Sequence, residues 1–148
     1  MEKRGFTLTE LLLVVFILGI LILIGVPAFR NYQPGMHLSG ALRELISDLR
    51  YAQQLAVTEQ VDHGVRLLAG DDKYQIIEYA PEGEEILQEK SFPSEVSFHQ
   101  IDGLTDSQAV FNPYGALTSE AGSVTLINSR NETAAIDIRP SGFVKITE

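Results

Sequence analysis

The sequence predicts an α+β protein: a long apolar N-terminal helix followed by an antiparallel, strand-rich domain. Three observations predict it. Leu11 to Val26 is an unbroken uncharged stretch rich in Leu, Ile and Val. Leu38, Leu42, Leu45, Ile46, Leu49, Ala52 and Ala56 recur at three- and four-residue intervals. Beyond Gln60 the chain breaks into short apolar runs separated by turn formers. At 148 residues there is room for one ordinary domain and an appendage.

Met1 to Gly5 is a short polar leader carrying Lys3 and Arg4. From Phe6 to Phe29 the only charge is Glu10. As a helix, residues 6–29 reach about 36 Å, enough to cross a hydrocarbon core of about 30 Å. Lys3 and Arg4 would keep the N-terminus cytoplasmic, so that the remainder faces outward. The alternative is a cleavable secretory signal, with Val26 and Ala28 as the small residues before the cut, although that leaves Glu10 unexplained.

A carboxylate inside an apolar helix is costly, about 2.5–3.5 kcal/mol at mid-membrane and less near an end. Thr7-Leu8-Thr9-Glu10 matches the S/T-x-x-E capping box, which gives Glu10 a local role. Equally, Glu10 is placed to meet a positive partner from another chain, and a cap can be exchanged for an ion pair. Further along, Gly19 weakens a helix by about 1 kcal/mol relative to Ala, and Pro27 removes a hydrogen bond, though membrane helices tolerate both.

Lys3-Arg4-Gly5-Phe6-Thr7-Leu8-Thr9-Glu10 before the apolar run resembles the class III signal of type IV pilins and type II secretion pseudopilins. The resemblance implies cleavage by a prepilin peptidase between Gly5 and Phe6, N-methylation of Phe6, and retention of the hydrophobic segment. It implies that Glu10 pairs with a neighbouring subunit's N-terminal amine during assembly, and that the helix loosens between Gly19 and Pro27 in a filament. The implied partners are other pilin or pseudopilin subunits, the peptidase, an inner-membrane assembly platform and the membrane itself. The expected organisation is a leader at 1–5, a transmembrane assembly helix at 6–29 and a pilin-like soluble domain at 30–148. The expected location is single-pass in a bacterial inner membrane, with the C-terminal domain periplasmic.

Asn31, Pro34 and Gly35 predict an interruption or kink over residues 30–35. A helix from about His37 to Glu59 then packs its apolar stripe on a sheet, while Arg43, Glu44, Asp48, Arg50, Gln53 and Gln54 occupy mostly the other face. Strand-like runs follow at 61–68, 74–79, 86–92, 96–101, 109–111, 123–127, 134–138 and 143–146. Alternation in Val124-Thr125-Leu126 and Ile136-Asp137-Ile138 predicts a sheet with one buried face. The segment Asp48-Leu49-Arg50-Tyr51-Ala52, the turn Phe111-Asn112-Pro113-Tyr114-Gly115 and the stretch Ser141-Gly142-Phe143-Val144 resemble the GspH/FimT branch of minor pseudopilins and pilins. The Pro-Tyr-Gly piece reads equally as an ordinary strand-ending turn.

No constellation for catalysis emerges, and the expectation is that the chain is not an enzyme. Zero cysteines exclude disulfides, thiolate metal sites and a cysteine nucleophile. His37, His63 and His99 lie far apart without metal-ligand spacing, so no metal or cofactor is expected. Asp71-Asp72 and Glu82-Gly83-Glu84-Glu85 offer oxygens to calcium, but acidic turns are usually just solvated.

From Arg30 onward 9 Lys plus Arg face 18 Asp plus Glu, so nucleic acid is not an expected partner. Two functions remain. One is a minor pseudopilin at or near the tip of a type II secretion pseudopilus, supporting protein export. The other is a minor type IV pilin at a pilus tip, including one that captures DNA for natural transformation.

Overall fold

The computed structural model describes residues 6–147, except for the side chains of residues 27, 28, 30 and 31. The described residues form one α-helix, α1 (Leu8–Glu59), followed by eight strands. They are β1 (Asp62–Leu68), β2 (Lys73–Ala80), β3 (Gly83–Ser91), β4 (Val96–Asp102), β5 (Gln108–Phe111), β6 (Gly122–Asn128), β7 (Thr133–Ile138) and β8 (Val144–Thr147). Each of the eight runs marked by the sequence pattern is a strand. The interruption expected over residues 30–35 is not a break in secondary structure, because α1 runs through both Pro27 and Pro34. The helix expected to start near His37 is thus the second half of α1. Two compact units divide between Gln33 and Pro34.

In the first unit, the apolar side chains from Phe6 to Val26 are exposed. Leu8–Val26 is long and apolar enough to cross a membrane, with mean hydropathy 2.8 and none of the stretch buried within the protein. Fully burying one Leu, Ile or Phe is worth about 1.5–3 kcal/mol. A surface of this size therefore calls for lipid or the apolar helices of neighbours.

The second unit has two four-stranded antiparallel sheets, ordered β3-β2-β1-β5 and β4-β6-β7-β8. One core joins the helix to both. Leu38, Leu42, Leu45, Leu49, Ala52 and Ala56 supply the helical stripe. Val65, Tyr74, Ile76 and Phe111 come from the first sheet, and Val96, Val124, Leu126, Ile136, Ile138 and Val144 from the second. The period-2 reading is clearest in β6, whose residues alternate between buried and half-buried along its whole length. Between the sheets, the Phe92 ring meets Tyr74 tilted at 5.4 Å and Phe98 edge-to-face at 5.0 Å. Strand β3 is an exposed edge bearing Glu84, Glu85, Glu89 and Lys90, charges that discourage pairing with a stray strand.

Polar residues lock the helix to this core. Asp48, expected mostly on the solvent face, is buried instead. It accepts hydrogen bonds from the Tyr74 hydroxyl at 2.7 Å and the Lys90 ammonium at 2.8 and 3.0 Å. Lys90 also pairs with Glu44 at 3.1 Å. Helical periodicity misplaces Asp48 because a carboxylate can enter a core when a cation and a hydroxyl meet it there. Burial, reinforced by the hydrogen bond to Asp48, pushes the Tyr74 phenol well above its ordinary pKa. Desolvation opposes the charge on Lys90, yet its bonds to Asp48 and Glu44 prevail and hold its pKa above the usual lysine value.

Candidate functional site

The N-terminal site begins with Thr7, which caps α1. The Thr7 N–H donates to Glu10 Oε2 at 3.0 Å, and the Thr7 hydroxyl donates to the same oxygen at 2.9 Å. Reciprocally, the Glu10 N–H donates to Thr7 Oγ1 at 3.3 Å. The capping box expected from the sequence is therefore formed, and it satisfies backbone donors that the first helical turn leaves free. Glu10 itself is exposed, so no packing fixes its carboxylate and another donor can replace Thr7.

Phe6 lies one residue ahead of the cap and is fully open to its surroundings. Gly5, the other half of the proposed cleavage junction, lies outside the described residues. Gly19 sits in continuous helix with no side chain near it; a Cβ there would meet nothing within 4 Å. Pro27 is also helical, and its side chain lies outside the described residues.

The second unit carries a pair of interlocked turns under the helix. In Phe111-Asn112-Pro113-Tyr114-Gly115, Asn112 Oδ1 accepts from the N–H groups of Tyr114 at 3.0 Å and Ala116 at 3.1 Å. The Gly115 carbonyl accepts from Gln53 Nε2 on α1 at 2.6 Å. The closing turn Pro140–Gly142 packs on the same point: a Cβ on Gly142 would collide with the Gly115 carbonyl and the Gln53 amide. Both glycines also hold positive φ, +79° and +78°, where side chains are disfavoured. The Pro-Tyr-Gly piece is thus a helix-anchored turn rather than a free one, with Tyr114 projecting almost wholly into solvent.

An open groove runs between α1 and the edge strand β8. Arg43, Arg50 and Lys145 line it with Tyr51, Phe143 and Ile146, and none of its described lining residues is acidic. No described residue makes a hydrogen bond or ion pair with those three cations. Sequence reading missed this cluster because β8 is far from the helix along the chain.

The acidic turns meet protein donors. Asp72 accepts from the Phe98 N–H at 3.0 Å, and Glu84 pairs with Arg66 at 2.6 Å. Of the histidines, His37 lies 2.9 Å from Glu95 and His99 sits in β4 where its pairing with β6 shifts register. His63 is fully buried in β1.

A family model described as type II transport protein GspH matches residues 41–142, more than two thirds of the chain. The chain belongs to the GspH family. The prokaryotic N-terminal methylation motif matches residues 1–26 of this GspH-family protein. Its fold is similar to that of the minor pseudopilin EpsH from the type 2 secretion system of Vibrio cholerae, at TM-score 0.65 and 11% identity, covering 75% of this chain and 96% of that one. It is also similar to the type IV minor pilin FimU of Pseudomonas aeruginosa, at TM-score 0.62 and 15% identity, covering 79% and 92%. At these identities the likeness establishes the pilin-like fold. No curated protein sequence gives a significant match. The methylation motif, the exposed apolar helix and the family together mark a membrane-anchored, pilus-type structural subunit that assembles with others of its kind.

Proposed function

We propose that this GspH-family chain is a minor pseudopilin, a structural and assembly subunit at or near the tip of a type II secretion pseudopilus that supports protein export. The observation that carries the reading is Glu10, self-capped at the start of the otherwise uncharged and exposed apolar stretch Leu8–Val26. Cleavage between Gly5 and Phe6 frees an amine one residue ahead of the cap. A neighbour's amine can then replace Thr7 as partner to Glu10 as the helices pack, neutralising a carboxylate that would be costly unpaired among apolar helices.

In this reading residues 1–5 are a leader removed by the prepilin peptidase, 6–29 the assembly helix and 30–148 a periplasmic domain. Lys3 and Arg4 keep the leader cytoplasmic, and the inner-membrane platform feeds subunits into the filament. Gly19 and Pro27 supply the weak points at which the helix loosens on packing. The role is structural rather than enzymatic. Intact mass of the protein from membranes containing the peptidase tests it: loss of residues 1–5 with one added methyl group is expected. A mature terminus at Phe29 would instead mean ordinary secretory cleavage and end the reading.

A second reading, a minor type IV pilin that presents a ligand-binding tip, draws on the cations Arg43, Arg50 and Lys145 beside β8, which pair with no described residue. The excess of acidic groups elsewhere in the domain opposes long-range attraction to DNA. Deleting the gene separates the two. Lost protein secretion with intact piliation supports the pseudopilin, and the converse supports the pilin.

A further inference from the structure

We infer that Glu59, His63 and Glu78 form a divalent transition-metal site of the zinc type, clamping the C-terminal end of α1 to the first sheet. Their ligand atoms all lie within 4.8 Å of one another. The local fold brings them together in two steps. Glu59 is the last residue of α1, and Gln60 at φ 60° turns the chain so that His63 of β1 returns beside it. Glu78 is directly opposite His63 in the antiparallel β1–β2 register, which puts both side chains on one face.

The state of the imidazole points to a ligand. His63 is fully buried, and its Nδ1 lies 2.9 Å from the Val61 carbonyl, which fixes the ring proton there. The opposite nitrogen, Nε2, has no hydrogen-bond partner. Glu59 Oε2 lies 3.1 Å from Nε2, close enough to pair with a charged ring, yet it completes no hydrogen bond with it. An unmet polar atom in a buried position costs about 1–3 kcal/mol. A metal ion resolves that cost. Metal-bound histidines almost always donate their other N–H to a carbonyl or carboxylate, as His63 does toward Val61.

The separation of His63 from Glu59 fits as well. Metal–ligand bonds of about 2.0–2.1 Å at tetrahedral angles separate neighbouring ligand atoms by about 3.3 Å, close to the gap between His63 Nε2 and Glu59 Oε2. One imidazole with two carboxylates suits zinc and its neighbours better than calcium, which takes six to eight oxygens. Glu59 is about half exposed, leaving a coordination position open to water.

The test titrates zinc into the full-length, chelator-stripped protein in detergent micelles, read by calorimetry and thermal unfolding. One saturable equivalent is expected, with melting raised by roughly 5 °C or more at metal concentrations about 100 times the dissociation constant. Glu59→Gln and Glu78→Gln should each weaken binding at least about tenfold while leaving the metal-free melting temperature close to wild type. They carry the test even where a substitution at buried His63 prevents folding. Replacing His37 and His99 together should leave binding unchanged. Nitrogen-15 spectra should show metal at Nε2 of His63 with the proton retained at Nδ1. Absence of stoichiometric binding, or undiminished binding in both glutamine variants, overturns the site and leaves His63 a buried histidine beside a carboxylate.

Discussion

Two halves of one helix behave as different materials. Between Leu8 and Val26 apolar side chains cover every face and all are exposed. Between Leu38 and Ala56 they form one stripe, and that stripe is buried against strands. Charge follows the same division. Glu10 is exposed and answered only by its own helix cap, whereas Asp48 is buried and answered by Tyr74 and Lys90 from the sheet. The difference teaches where each half finds its partners: the first in lipid or other subunits, the second within its own chain.

The sharpest way to break this contrast is Asp48→Ala. It leaves the buried Tyr74 hydroxyl without its acceptor and the part-exposed Lys90 with Glu44 alone, and should destabilise the domain by about 3 kcal/mol. Denaturant unfolding of residues 30–148, which we expect to fold cooperatively without the apolar helix, measures it. A loss below 1 kcal/mol would show that the lock is ornamental. Gly142→Ala should come next, at about 1–3 kcal/mol, because the added Cβ meets the Gly115 carbonyl at a positive φ. The control Gly40→Ala, on α1 with nothing within 4 Å of a new Cβ, should be neutral or stabilising in the same assay.

Glu10→Ala probes the other half. It removes a helix cap worth about 1 kcal/mol and should leave membrane insertion and domain stability unchanged. Filament incorporation and secretion should fall at an equal subunit level. Wild-type output would confine Glu10 to capping.

The smallest effect is alkaline. Tyr74 and Lys90 both have raised pKa values in the folded state, so the stability they contribute is fully present below the unfolded values of about 10 and 10.4. It is lost as pH rises through the folded values, when Tyr74 ionises beside Asp48 and Lys90 discharges. Stability of the domain should therefore decline above about pH 10, and Tyr74→Phe should remove the tyrosine share of the decline. An unchanged slope in that variant would assign the loss elsewhere.

Much of the fold was legible because its signals are local. Eight strand positions follow from turn chemistry and apolar runs, and the Thr7–Glu10 cap follows from a four-residue pattern. One segment misled: Asn31, Pro34 and Gly35 weaken a helix on average, yet α1 continues through them. The metal candidate was hidden differently. Glu59 and His63 are four apart, but helix and strand meet between them, and Glu78 joins only through the β1–β2 register. Counting histidine spacings cannot see a carboxylate delivered by a hairpin.

By itself the sequence determined the apolar anchor, the cap at its start, the α+β order and the strand positions, because each depends on neighbours within a few residues. Only the tertiary structure decided that Asp48 is buried, that Gln53 holds the Gly115 turn, that Arg43 and Arg50 share a groove with Lys145, and that His63 faces two glutamates. Those are pairings between distant residues. Their energies come from desolvation and alignment in three dimensions, which no local pattern records.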